Sequence, residues 1–140
     1  MKRVFVDANV AIDLMCERYP WFEDAAKLYS LADRGLIELC CSSLTLATAS
    51  YIMETRKMSN REIVETISHF CQVCTPTCVD ATVVQKAIHS SFNDFEDAMQ
   101  YYSALNAKAD IIITRNLKDF TESQIPVVTA GDYLKVIENK

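Results

Sequence analysis

Short apolar segments alternate with helical patterns along the whole chain, and this alternation limits the fold more than any other feature of the sequence. The segments at 2–7, 36–41, 72–75, 111–114 and 126–129 each have the length of one β-strand. The fourth segment is apolar without alternation, as is typical of a strand that is buried on both faces of a parallel sheet. This order predicts an α/β sandwich with a mainly parallel sheet.

The intervals between the strands have helical periodicity with recognisable ends. Helices are predicted at 9–16, 20–34 and 42–57, from Ser59 to about residue 71, from Asp80, at 94–108, and from Thr129 to about residue 137. Ser59 and Glu62 are spaced as a capping box, and Gly35 is a natural stop for the second helix. Pro76 is expected to end the third strand, because proline cannot donate to a sheet ladder.

Two helices have apolar stripes that predict their buried faces. In the helix at 20–34 the stripe consists of Trp21, Ala25, Leu28, Tyr29 and Ala32. In the helix at 94–108 it consists of Phe95, Ala98, Met99, Tyr102 and Leu105. Asp94, Asp97 and Tyr101 are predicted to lie on a different face of that second helix. The spacing of Asp94 and Asp97 lets both carboxylates point at one place, as metal coordination requires.

Length, charge and hydropathy limit the class of protein. A chain of 140 residues fits one domain, predicted at 1–140. Its 14 basic and 19 acidic side chains give a net charge of -5, which argues against broad electrostatic binding of a nucleic-acid backbone. No apolar run approaches the roughly 20 residues of a membrane span, and the start of the chain does not resemble a signal peptide. We therefore expect a cytoplasmic protein that does not enter a membrane.

Six cysteines require an explanation in a chain of this size. Without a secretion signal they are expected to stay reduced, and most are predicted to be small core residues. A zinc site is the alternative for the group His69, Cys71, Cys74 and Cys78, because a CxxC pair supplies two thiolates at ligand distance. That alternative is weakened by the lack of a second CxxC pair.

Acidic residues stand where predicted elements end or begin. Asp7 closes the first strand, and Asp94 and Asp97 lie at the start of a helix. The carboxyl ends of parallel strands meet at one edge of a sheet, so Asp7 is expected near the polar residues that follow the other strands, Ser42, Ser43 and 114–116. The alternative is that each acid only caps a helix or complements its dipole. The coincidence of both features favours a shared site.

A group of carboxylates suits a hard divalent cation. The acids repel one another unless a cation neutralises them, and oxygen ligands select Mg²⁺ or Mn²⁺. Such an ion held by Asp7, Asp97 and Asp94 would activate a water molecule and stabilise a leaving oxygen, which is metal-dependent phosphodiester hydrolysis. The metal would also reconcile an acidic protein with a polyanionic substrate. Candidate contacts to the nucleic-acid backbone are Lys57, Arg61, Lys108 and Arg115.

Four segments in order resemble the motifs of PIN domains, in particular those of the VapC-like toxin branch. They are VDANVAIDL at 6–14, SSLTLA at 42–47, DFEDAMQYYSAL at 94–105 and TRNLKDF at 114–120. The resemblance implies a three-layer α/β/α sandwich and an endoribonuclease that depends on Mg²⁺ or Mn²⁺. It also implies an RNA substrate, a small antitoxin protein as partner, and a homodimer.

The resemblance carries over to individual residues. Asp7 matches the first acid of the family, and Asp97 matches the acid at the start of its late helix. Asn9, Thr114 and Asp119 match positions that support the metal site, and Arg115 lies beside them. The chain departs from the family at Thr48, where many members have a glutamate, and at Asn116, where the fourth acid is replaced by an amide. Asn116 still offers a carbonyl oxygen, and Asp94 and Glu96 are expected to compensate for the missing charge.

Two other functions remain open at this stage. The departures at Thr48 and Asn116 suggest a PIN-like binding or regulatory module that has lost catalysis. A phosphotransfer domain with Asp7 as the nucleophile is the second alternative, although Asn9 and Arg115 stand where such a site needs another acid and a lysine. An α/β domain without chemistry at this edge is a third reading.

Overall fold

The computed structural model describes residues 1–138, and the last two residues of the predicted domain, 139 and 140, lie outside them. The strands are β1 (Arg3–Val6), β2 (Glu38–Ser42), β3 (Cys74–Thr77), β4 (Ile111–Ile113) and β5 (Val127–Val128). The helices are α1 (Ala8–Met15), α2 (Phe22–Asp33), α3 (Ser43–Thr55), α4 (Asn60–Cys71), α5 (Ala81–Ile88), α6 (Phe95–Asn106) and α7 (Ala130–Glu138). A short 3-10 helix at Leu117–Phe120 connects β4 to β5.

The five strands form one parallel sheet in the order β3-β2-β1-β4-β5. Val4 of β1 pairs with Leu39 of β2 on one side and with Ile111 of β4 on the other. The predicted α/β architecture with a parallel sheet is therefore confirmed. The strand order reverses at β1, and the crevice beyond the carboxyl ends of β1 and β4 is where ligands of such sheets bind.

Helices cover both faces of the sheet because successive strand residues point to opposite sides. One face contributes Val4, Val6, Leu39, Cys41 and Ile113 to a core shared with residues of α1, α2, α4 and α7. The other face contributes Phe5, Cys40 and Ile112 to a core shared with α6 and the 3-10 helix. A third cluster joins α1 to α3 and α4. These layers give the three-layer sandwich that the motif resemblance implied.

Most predicted helix ends are confirmed. Ser59 and Glu62 form the capping box in both directions, and Asp80 accepts a hydrogen bond from the Val83 amide at 3.0 Å. Ser42, not Ser43, caps α3. Gly35 has a φ of 77°, the left-handed conformation that ends α2 and that glycine adopts without strain. No helix within 1–138 is long and apolar enough to cross a membrane.

The prediction that Pro76 ends the third strand was wrong. Pro76 lies inside β3 and pairs with Cys41 of β2. β3 is at the edge of the sheet, so one side of its backbone has no neighbouring strand and a missing amide proton there costs little.

The buried face predicted for α6 was wrong in part: Ala98 is buried and Tyr102 and Leu105 pack against the core, but Tyr101, predicted on another face, is buried as well. Phe95 is 48% exposed, whereas the buried residues of the helix are Ala98, Gln100, Tyr101, Ser103 and Ala104. The polar members are paired: the Ser103 hydroxyl donates to the Cys78 carbonyl at 2.7 Å, and Gln100 hydrogen-bonds Thr45. An apolar stripe does not identify the whole buried face of a helix when some of its polar side chains are also buried and have hydrogen-bond partners.

Candidate functional site

Asp7 is buried at the carboxyl end of β1, with 5% of its surface exposed. Its Oδ1 accepts a hydrogen bond from the Ala8 amide at 2.8 Å, so it caps α1 as the structural reading expected. Its Oδ2 accepts from the Thr114 hydroxyl at 2.9 Å and from the Asn9 side-chain amide at 3.2 Å. Burial raises the pKa of Asp7, and the Thr114 and Ala8 hydrogen bonds oppose that rise. Capping therefore orients Asp7 and does not exclude a ligand role.

The loop after β4 completes the frame around Asp7. Thr114 is fully buried, and its hydroxyl also accepts a hydrogen bond from the backbone amide of Asn116 at 3.1 Å. The Asn9 side-chain oxygen accepts from the Arg115 amide at 3.4 Å. Asn9 and Thr114, both predicted as supporting residues, thus hold the start of α1 and the end of β4 together.

Asp94 and Asp97 lie at the start of α6. Asp94 caps the helix by accepting from the Asp97 amide at 2.9 Å, and its side chain is exposed. Asp97 is half-buried. Both line a small cleft of about 80 Å³ together with Asp119, Lys118 and other residues of the adjoining loops.

The pKa of Asp97 depends on acids from both parts of the site, the end of β1 and the start of α6. Desolvation and then repulsion by Asp7 raise the pKa of Asp97 to about 7, with smaller contributions from Asp94, Asp119 and Glu96. Glu96 and Asp119 also raise the pKa of Asp7. A carboxyl group with such a pKa is only partly charged at neutral pH, as expected where several acids surround one point. The structure therefore brings Asp7 and Asp97 into one electrostatic unit, with Asp94 and Asp119 beside them.

The carboxylates are near one another but do not form a closed ligand set. Within 1–138, no three His, Cys, Asp or Glu side chains are gathered in an arrangement that would hold a metal ion. This applies equally to the cysteine group: Cys74 is fully buried, whereas Cys78 and His69 are exposed. All six cysteines are free thiols, and burial raises the pKa of Cys40 to about 12, so that thiol stays protonated in the core.

Arg115 does not extend freely toward a substrate. It forms two bonds to the Asp13 carboxylate, at 2.9 and 3.3 Å, and its guanidinium lies 3.9 Å from the centroid of the Trp21 ring. Arg18 also binds Asp13, at 2.8 Å. Asp13 is 1% exposed, so two arginines compensate the charge of an acid in the protein interior. The predicted burial of Trp21 was wrong, because it precedes α2 and is 44% exposed beside Arg115.

Sequence reasoning missed Asp13 and Trp21, together with the buried Thr45–Gln100 pair. Asp13 lies in the VDANVAIDL segment, so its position was visible although its partners were not.

Of the other predicted residues, Asn116 is exposed and lines a second pocket with Trp21, and the Thr48 hydroxyl donates to the Leu44 carbonyl within α3. Lys57, Arg61 and Lys108 are exposed. Arg61 pairs with Glu65 on the surface, and Lys108 precedes β4 at the opposite edge of the sheet.

Comparison with known proteins gives consistent results. A family model described as PIN domain matches residues 3–118. The chain is 25% identical over 137 residues to Ribonuclease VapC1 of Aquifex aeolicus, with 94% of this chain and 93% of that protein covered.

Two solved structures have the same fold at low sequence identity. VapBC-1 from nontypeable Haemophilus influenzae has a TM-score of 0.65 at 16% identity, covering 92% of this chain and 98% of that chain. VapC20 from Mycobacterium tuberculosis, described as a Sarcin-Ricin loop cleaving toxin, has a TM-score of 0.59 at 15% identity, covering 78% of this chain and 86% of that chain.

Proposed function

Because the chain belongs to the PIN domain family, as its four motifs predicted, we propose that it is an endoribonuclease that hydrolyses RNA phosphodiester bonds as the toxin of a toxin–antitoxin pair. The relative from Aquifex aeolicus is named a ribonuclease, and VapC20 is described as a Sarcin-Ricin loop cleaving toxin. The observation that carries the proposal is geometric: Asp7 at the end of β1 and Asp97 at the start of α6, acids distant in sequence, lie close enough for their charges to interact.

The donor set fits a hard divalent cation, Mg²⁺ or Mn²⁺. Every acid that influences Asp97 offers oxygen only, and the site contains no thiolate or imidazole among its described residues. We propose that Asp7, Asp97 and Asp94 hold the ion. Bound there, a dication supplies a water molecule of lowered pKa and charge stabilisation for the leaving oxygen.

The chain's own residues have separate tasks in this proposal. Thr114 and Asn9 orient the Asp7 carboxylate, and the Asp13–Arg115 pair positions the loop that carries Thr114. Asp119 adds negative charge beside Asp97. Asn116 is assigned a supporting catalytic role through its amide oxygen.

A catalytically weakened PIN-like module is the second candidate. The observation that favours it is the lack, within the described residues, of three gathered ligands, together with neutral residues at positions 48 and 116. Such a module would fold and bind its partners without cleaving RNA.

The partners follow from the relatives. Structures named VapBC support a small antitoxin protein as a partner of this chain. A homodimer, a single domain over residues 1–140 and a cytoplasmic location remain predictions from the sequence.

Cleavage of a structured RNA by the purified protein tests the proposal. We expect cleavage with Mg²⁺ or Mn²⁺, none with excess EDTA, and a loss of at least a hundredfold in both Asp7→Asn and Asp97→Asn. The matched control is Asp33→Asn, which removes the same charge from the exposed end of α2 and should cleave as the parent does. Cleavage that persists in EDTA, or that survives in either site variant, contradicts the mechanism. A folded parent protein without activity would favour the second candidate.

A further inference from the structure

A second pocket adjoins the acidic site on the other side of the loop after β4. Its volume is about 330 Å³, which is within the usual range of ligand pockets, about 300 to 1,000 Å³. It lies between the start of α2 and the start of α7, and its walls include Trp21, Asp24, Arg115, Asn116 and Gly131. None of the acids of the candidate site lines this pocket, although Arg115 and Asn116 belong to one of the four matched motifs.

One wall of the pocket is planar and held in place. The Arg115 guanidinium lies 3.9 Å from the centroid of the Trp21 ring, and both side chains line the pocket. Two bonds from Arg115 to the buried Asp13 carboxylate fix the guanidinium. Aromatic rings and guanidinium planes are the surfaces on which proteins stack unpaired bases of RNA.

The pocket also contains a carboxylate with free acceptor capacity. Asp24 is half-buried, and no donor among residues 1–138 forms a hydrogen bond or an ion pair with it. Its Oδ2 lies beside the first turn of α7, where a Cβ added to Gly131 would be 3.2 Å from that oxygen. Because glycine has no side chain, residue 131 leaves space for the Asp24 carboxylate.

The pocket and the acidic site share one loop. Asn116 lines the pocket. Its backbone amide donates to the Thr114 hydroxyl, which in turn donates to the Asp7 carboxylate. We therefore expect an RNA strand that follows this loop to contact both the pocket and the acidic site.

We propose that this pocket binds an unpaired guanine base of the RNA substrate, an inference that rests on the proposed ribonuclease function. The Watson–Crick edge of guanine offers two adjacent donors, N1–H and the 2-amino group, which match the two oxygens of Asp24. Adenine and cytosine offer one donor group there, and uracil flanks its single donor with two acceptors that the carboxylate repels. An arginine from a protein partner would fit Asp24, but Arg115 already lies over Trp21 and would repel a second guanidinium.

Fluorescence provides a test that does not depend on cleavage, because Trp21 is the single tryptophan of the chain. RNA pentamers UUGUU, UUIUU and UUAUU are titrated in EDTA, where no cleavage is expected, and the midpoint of the Trp21 response is measured. We expect UUGUU to bind on the order of tenfold more tightly than UUAUU, as a good bidentate pair predicts. The inosine pentamer, which lacks the 2-amino group, should fall between them.

Variants separate base recognition from a structural role of Asp24. Asp24→Asn should remove the preference for guanine, whereas Glu23→Gln, a neighbouring exposed acid of α2 outside the pocket, should retain it. Gly131→Ala keeps the charge at residue 24 but displaces the carboxylate, and should weaken UUGUU binding severalfold. Unfolding midpoints in urea accompany each titration, so a variant that only destabilises the fold is recognised.

The outcomes decide between the two proposals. Equal midpoints for the three pentamers, or a guanine preference that survives in Asp24→Asn, would overturn the base pocket even if the protein cleaves RNA. A saturable response to N-acetyl-arginine amide without any response to the pentamers would overturn it in favour of a protein ligand. A guanine preference without cleavage would support the pocket and contradict the ribonuclease function.

Discussion

The pKa of Asp97 depends on its burial and on the acids around it. Its pKa rises to about 7 from an ordinary value of 3.8, through desolvation first and then through repulsion by Asp7 and other acids. Between pH 4 and 7 the folded protein therefore binds a proton at Asp97 that the unfolded chain has lost. The stability contributed by that proton is complete below the unfolded pKa and is lost as the pH rises through about 7.

Asp97→Asn should remove this pH dependence. In EDTA we expect the free energy of unfolding of the parent to fall, relative to that of Asp97→Asn, between pH 5 and pH 8. Urea denaturation at both pH values measures the difference, and Asp33→Asn serves as the charge-matched control. Excess Mn²⁺ at pH 8 should restore stability to the parent but not to the variant, because the ion binds the folded state. Parallel pH profiles for parent and Asp97→Asn would contradict the raised pKa of Asp97.

Asp13 is the residue on which the geometry of the Thr114 loop depends. Asp13→Ala should lower the free energy of unfolding by about 3 kcal/mol, since it removes the partner of two arginines that are themselves mostly buried. It should also release Arg115 and change the emission of Trp21. Urea denaturation followed by fluorescence reports both effects in one experiment. An Asp13→Ala variant as stable as the parent would show that the two ion pairs contribute nothing measurable.

At the scale of elements, the start of α6 combines a helix cap with a proposed metal site. Asp94 accepts from the Asp97 amide and so fixes the first turn from which Asp97 projects. Capping needs only an oxygen acceptor, whereas binding a dication also needs charge. Asparagine at position 94 therefore separates the two roles.

Asp94→Asn should keep the stability of the parent and weaken Mn²⁺ binding about tenfold. Asp94→Ala should in addition cost about 1 kcal/mol of stability, because alanine cannot cap α6. Calorimetry with Mn²⁺ measures the affinity and thermal unfolding measures the cap. Equal affinities for Asp94→Asn and the parent would leave Asp94 as a helix cap alone.

The same elements show how far the sequence predicts the structure. Strand positions, the capping box at Ser59 and the acid at the end of β1 depend on local spacing, and these predictions were confirmed. The place of Pro76 and the polar part of the buried face of α6 depend on partners elsewhere in the chain, and there the predictions were wrong. The contact between Asp13 and Arg115 joins residues 102 positions apart, which no local pattern encodes.

At the scale of the whole molecule, an acidic protein has to bind RNA, which is itself a polyanion. The net charge is -5, and the predicted basic contacts are scattered or already engaged, as Arg115 is with Asp13. Electrostatic attraction to RNA therefore has no broad basic surface on which to act. We therefore expect the positive charge to come from a dication bound at the carboxyl ends of β1 and β4, and without that ion we expect no productive binding of RNA.

The most direct test is a crystal of the protein soaked in Mn²⁺, with the ion located by its anomalous scattering. We expect a peak between α6 and the end of β1, with oxygens of Asp7 and Asp97 within about 2.6 Å of it, and no peak in Asp7→Asn crystals. The proposed metal site would be contradicted if a protein that cleaves RNA showed the peak at another place. It would also be contradicted if such a protein showed no peak at Asp7 and Asp97.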